Sequence, residues 1–166
     1  MAMRTSLAGQ DFIRRAEGQG GAPVLKAYAD PGGVWTIGFG TIRYADGAPV
    51  KAGDSCTAVE AEAWFVQALT VPENAINHLV QVALTQPQFD ALASFIYNEG
   101  EGNFAGSTLL KLLNQGRFRD AAAQFGQWTK VRVNGVLMPC AGLAARRAAE
   151  RDLFLSGTAD GTGTVT

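Results

Sequence analysis

The feature of this sequence that most restricts its fold is a change of hydrophobic period near residue 57. Over residues 25–44 apolar and polar side chains alternate between Gly and Pro breaks, the pattern of short, half-buried strands. From residue 57 onward the apolar positions recur at helical spacing, in stretches 57–69, about 72–84, 87–97, 107–115, 118–128 and 143–155. Strands gathered in one early segment and followed by a run of helices predict an α+β fold. A small N-terminal antiparallel β-sheet lobe, about 18–56, then lies against a mainly helical C-terminal lobe. Ahead of the sheet, Ser6 followed by Leu7, Phe12, Ile13 and Ala16 predicts an amphipathic helix with a Ser cap, closed by Gly18. Glu17 is thereby placed at a helix C-terminus. Thr85 with Gln88 resembles a capping box, and Ser107 precedes an apolar LLKLL run. Residues 1–156 read as one domain in two lobes, and 157–166, which lack core-forming side chains, as a mobile tail.

Composition narrows the chemistry. The chain has 166 residues, 47% hydrophobic and 17% charged, enough for one domain whose core needs neither disulfide nor metal. A net charge of −1 argues against a nucleic-acid partner. The charge is unevenly spread, with six basic and eleven acidic residues in 1–110 but eight basic and two acidic in 111–151. The basic stretch reads as solvated helix faces that also attract an anionic polymer. Cys56 and Cys140 have no second Cys or His nearby, and His78 is the sole histidine, so the sequence predicts free thiols and no metal site. No apolar run has the length of a signal core or a membrane span, which predicts neither a signal peptide nor a membrane anchor.

With no Cys/His pair and no GxxxxGK loop, carboxylates are the remaining catalytic candidates. Glu17 follows Ile13 by one helical turn. There the helix dipole and partial burial both favour the protonated carboxyl that a general acid needs. Asp30 precedes Pro31, Gly32 and Gly33, which is also a plain turn signature. In the strand that follows, alternation puts Trp35, Ile37 and Phe39 on a core face and Thr36, Gly38 and Gly40 on a nearly bare one. Lys26, Tyr28 and Asp30 share a parity in the preceding strand, so a tyrosine and a carboxylate are expected beside Thr36, where they hold a water next to a bound chain. Trp35, Trp64 and Trp128 read as core, with Trp128 also a candidate for a cleft wall.

Glu17, LKAYAD ending at Asp30, and GVWTIGFG carrying Thr36 together resemble the active-site segment of the phage-type lysozymes, glycoside hydrolase family 24, also called endolysins. FIYNEGEGNF with STLLKLLNQGRF, Trp128, and GLAARRAAERDLFL match in the same order, so the resemblance spans about 7–156. It implies a lysozyme-like fold and a cofactor-free muramidase that hydrolyses the β-1,4 bond between N-acetylmuramic acid and N-acetylglucosamine in peptidoglycan. Glu17 then matches the general acid, Asp30 the catalytic carboxylate and Thr36 the residue that positions the attacking water. Tyr28, Gly38, Ile42, Tyr97 and Asn98 match substrate-binding positions, and Arg146 or Arg147 the arginine that pairs with the catalytic Glu. Two departures stand out. Twelve residues separate Glu17 from Asp30 where the family usually has eight, the surplus falling in GQGGAP, and Thr41 stands where the family often has His.

An inverting hydrolase is the leading reading. A lytic transglycosylase using one acid, and a non-catalytic wall-binding domain of the same fold, remain alternatives. The resemblance also implies a monomer held in the host cytoplasm until a holin opens the membrane, and then acting on the wall from the periplasm.

Overall fold

In the computed structural model, residues 1–158 are described. Helix α1 (Leu7–Glu17) is capped by Ser6, whose hydroxyl accepts the Gly9 N–H at 3.0 Å, and it ends at Gly18, whose N–H bonds to Arg14 O. It lies close on α4 (Gln86–Glu99) because residue 9 is glycine, since a Cβ there would sit 2.4 Å from the Asp90 carboxyl carbon. Asp90, buried, accepts the Ser6 N–H at 3.0 Å and fixes the start of α1, and with it the direction in which the helix delivers Glu17.

The sheet lobe is small. Strand β1 (Val24–Ala29) pairs antiparallel with β2 (Trp35–Gly38), Tyr28 opposite Thr36 and Ala29 opposite Trp35, with a bulge between Val24 and Tyr28. Isolated bridges, Lys26 to Ser55 and Arg43 to Pro49, carry the lobe on to residue 55. The surplus residues after Glu17 fold into their own turn, in which Gln19 and Ala22 exchange backbone hydrogen bonds of 2.9 and 3.1 Å around Gly20 and Gly21, both at positive φ.

The helical lobe follows as α2 (Ala58–Ala68), α3 (Thr70–Leu79), α4, α5 (Glu101–Ala105), α6 (Thr108–Asn114), α7 (Phe118–Ala123) with a 3₁₀ turn (Gln124–Gln127), and α8 (Ala141–Ser156). The centre of the core is α4, whose residues 88–96 are all buried and which packs mainly on α8. Edge-to-face aromatics tie it to its neighbours, with Phe95 5.5 Å from both Phe125 and Trp128. The capping box at Thr85 forms, with the Gln88 side chain accepting the Thr85 N–H at 2.9 Å. The α+β layout thus stands as the change of period predicts.

Several local expectations fail for identifiable reasons. Residues 80–84 are not helical, and Val80, Val82 and Leu84 pack against the core from this irregular segment. Residues 130–139, between the predicted helical stretches 118–128 and 143–155, are not a plain connection. They form a second hairpin, β3 (Lys130–Val133) and β4 (Val136–Pro139), turned by Asn134 at φ 48° and Gly135 at φ 79°. Trp35 is 38% exposed and leaves the core face to Ile37 and Phe39. Among the described residues Cys56 and Cys140 are unbridged. Gly157 and Thr158 continue from α8, their N–H groups bonding to Phe154 O and Leu155 O. The rest of the tail expected over 157–166 lies outside the described residues.

Candidate active site

A cleft of about 1020 Å³ separates the lobes and gathers Glu17, Tyr28, Asp30, Thr36, Ile42, Tyr97, Asn98 and Arg146 from four segments that are distant in sequence. Glu17, the last residue of α1, is half-buried and receives a charge-assisted hydrogen bond from Arg146 Nη1 to its Oε1. This resolves the choice left open by sequence. Arg146 is the partner of Glu17, and Arg147 turns away into the core. Burial works against the Arg146 charge, but Glu17 and Glu150 together raise its pKa above the ordinary arginine value, so the cation is permanent. The opposite edge of Glu17 touches backbone, since a Cβ at Gly40 would lie 2.6 Å from Glu17 Oε2.

Asp30 and Thr36 are both anchored to the backbone of one residue, Val34. Asp30 Oδ1 accepts the Val34 N–H at 2.8 Å, and the Thr36 hydroxyl donates to Val34 O at 3.0 Å. The turn signature of Asp-Pro-Gly-Gly is therefore real, and it is the same turn that aims the carboxylate, with Asp30 N–H bonding back to Val34 O at 2.9 Å. Asp30 Oδ2 has no partner among the described residues, and the Thr36 oxygen, having spent its proton, can only accept. A water donating to both would keep a lone pair free for attack. Tyr28, opposite Thr36 in the sheet, lines the cleft with both carboxylates, and its phenol pKa is raised by burial and then by the charges of Glu17 and Asp30.

From the helical lobe, the Tyr97 hydroxyl donates to Phe39 O at 2.6 Å and bridges the lobes across the cleft floor. Burial, then the nearby Glu17 charge, pushes its pKa well up and keeps it a donor. Asn98 is exposed to the cleft while its Oδ1 is held by Arg147. Residues 130–132 of the second hairpin form a wall that sequence reasoning missed, Arg132 O lying 3.8 Å from a Cβ built at Gly32. The alternation of KVRV-NG-VLM was the signal available for it.

Two expected cleft residues are elsewhere. Gly38 is buried against α2, a Cβ there falling 3.3 Å from that of Ala61, and it is not among the residues that line the cleft. Gly38 and Gly40 are needed for positive φ, 66° and 83°, in the turn that Thr41 closes through its backbone pair with Ile37. The nearly bare strand face is a turn requirement rather than an open platform. Trp128 does not line the cleft but packs on Phe95, and its carbonyl accepts from Arg147 Nε at 3.0 Å.

The same arrangement has relatives. The phage lysozyme family model matches residues 18–150. The chain belongs to the phage lysozyme family. Its sequence is 39% identical over 154 residues to the endolysin of Acyrthosiphon pisum secondary endosymbiont phage 1, covering 93% of this chain and 99% of that one. Among solved structures, the endolysin from Escherichia coli O157:H7 phage FAHEc1 superposes with a TM-score of 0.84 at 38% identity, over 96% of this chain and 98% of the other. The muramidase domain of SpmX from Asticaccaulis excentricus follows at TM-score 0.77 and 37% identity, over 92% and 97%. This lysozyme is thus a cell-wall hydrolase with the two-lobed fold of the phage endolysins.

Proposed function

We propose that this lysozyme cleaves the bond between N-acetylmuramic acid and N-acetylglucosamine with inversion, Glu17 acting as general acid and Asp30 as general base. Glu17 donates its proton to the glycosidic oxygen. Asp30 Oδ2 and the Thr36 hydroxyl oxygen hold the attacking water on the other side of the sugar, and Asp30 takes the proton that the water loses. The observation that carries this reading is the shared anchor at Val34, which fixes Asp30 and Thr36 as a pair of acceptors at one point of the cleft. An inverting pair needs carboxyls about 6.5 to 9.5 Å apart, leaving room for that water. Tyr28, Ile42, Tyr97 and Asn98 line the path of the glycan.

The test is lysis of outer-membrane-stripped Gram-negative cells with product masses recorded. Wild type should release fragments carrying one added water, whereas an anhydro product would instead support a transglycosylase. Glu17→Gln and Asp30→Asn should each fold normally and lose about 10²- to 10⁴-fold in rate. A folded Glu17→Gln enzyme keeping more than about a tenth of its rate would move the acid role elsewhere.

In the same reading the enzyme is a monomer and causes host lysis, waiting in the cytoplasm for a holin and reaching the wall only when the membrane opens. Among the described residues no helix is long and apolar enough to cross a membrane. Expression alone should leave a Gram-negative culture turbid until chloroform is added. Lysis with the inner membrane intact would contradict the holin requirement.

A further inference from the structure

The pair of adjacent arginines on α8 poses a problem that catalysis by Glu17 does not by itself explain. Neighbouring helix residues point about 100° apart, so Arg146 and Arg147 diverge, and both are nearly withdrawn from water. Glu150 stands four residues after one and three after the other, on the helix face between them. Its side chain is fully buried. Glu150 Oε1 accepts from Arg146 Nε at 3.1 Å and from the Ser94 hydroxyl at 2.7 Å, while Oε2 accepts from Arg147 Nη1. Ser94 in turn receives Arg146 Nη2, at 3.1 Å on its carbonyl and 3.3 Å on its hydroxyl.

Each arginine carries this anchor to a different wall of the cleft. Arg146 reaches Glu17, and Arg147 reaches Asn98 Oδ1 and, at 3.0 Å, Glu99. A guanidinium only donates, so Asn98 must turn its oxygen inward and present its NH₂ to the cleft. Buried ion pairs cost desolvation and are weak evidence of stabilisation, but removing one partner strands a charge. The network is thus better explained by the geometry it fixes than by stability.

We propose that Glu150 is a positioning residue for the hydrolysis, a buried hub that sets the direction of Glu17 through Arg146 and the donor face of Asn98 through Arg147. The proposal rests on Glu17 being the acid, which Glu17→Gln tests separately. The ionisable groups facing Arg146 are Glu17 from α1, Tyr97 and Glu99 from α4, and Glu150 from its own helix, while Tyr28 of β1 faces Glu17. Removing the Glu150 charge leaves more of the Arg146 field on Glu17 and favours its carboxylate. The alkaline limb of the pH–rate profile, where the acid loses its proton, then moves to lower pH.

The experiment measures kcat, KM, the pH profile and the thermal midpoint for Glu150→Gln and Glu150→Asp. In Glu150→Gln, kcat should fall about 10- to 100-fold and the alkaline limb should shift down. Glu150→Asp keeps the charge but withdraws it, so kcat should fall while the limb stays in place. Should Glu150→Gln fail to fold, Glu150→Asp alone carries the test. Wild-type kcat in either folded variant would overturn the proposal, as would an unmoved limb in a folded Glu150→Gln. Failure of both variants to fold would also overturn it, in favour of a purely structural role.

Discussion

A methyl group at Gly40 would lie 2.6 Å from Glu17 Oε2, on backbone held at φ 83°. Gly40→Ala therefore combines two effects, the cost of a left-handed conformation and the displacement of the acid. Gly47 separates them. It has almost the same φ, 85°, with nothing within 4 Å of an added Cβ. Gly47→Ala should cost about 1 to 2 kcal/mol in urea unfolding and leave kcat unchanged. Gly40→Ala should lose a similar stability and, in addition, about tenfold or more in kcat. Equal activities in the two folded variants would show that Glu17 tolerates a shift at this wall. At Asn98, the variant Asn98→Asp keeps the oxygen that Arg147 holds but removes the NH₂ from the cleft. It should fold and raise KM for wall fragments about tenfold, the loss of one hydrogen bond with an added like-polarity contact. An unchanged KM would remove Asn98 from the substrate-binding residues.

At the scale of elements, the turn after Glu17 is self-contained. Gln19 and Ala22 pair with each other, and Gly18 is already extended, at φ −107° and ψ −176°, the conformation that a residue before proline requires. Excising residues 19–22 joins Gly18 to Pro23 and restores the family's usual spacing. Surface loop length has a weak effect on stability, so activity should stay within about tenfold of wild type. A folded but inactive deletion variant would show that this turn helps to place Glu17 relative to Asp30. Which elements were legible from sequence follows from how local their signals are. The Ser6 cap, the Gly18 stop and the Thr85 capping box are decided within four residues and were readable. The second hairpin was also local, in its Asn134-Gly135 turn, but flanking helical periodicity masked it. Residues 80–84 and Trp35 are decided by what packs against them, which no short window contains.

For the whole molecule, the candidate site is assembled from α1, the β1–β2 turn, the end of α4 and the start of α8, and α4 is the element on which the others converge. Sequence alone named Glu17, Asp30, Thr36 and Asn98, because each matches a motif. It left the partner of Glu17 undecided between neighbouring arginines, because helical phase relative to another element is a tertiary quantity. It misplaced Gly38 because alternation was extended to the last residue of the strand, where a positive φ already turns the chain. In the proposed reaction these residues act together, a proton leaving Glu17 while water held by Asp30 and Thr36 attacks the opposite face of the sugar. Its most direct test is the anomeric configuration of the new reducing end, followed by NMR in the first minutes of hydrolysis of soluble glycan strands, before mutarotation. The account predicts the α anomer of N-acetylmuramic acid, appearing with one solvent oxygen when the reaction is run in heavy-oxygen water; initial release of the β anomer, or of an anhydro sugar lacking solvent oxygen, would contradict it.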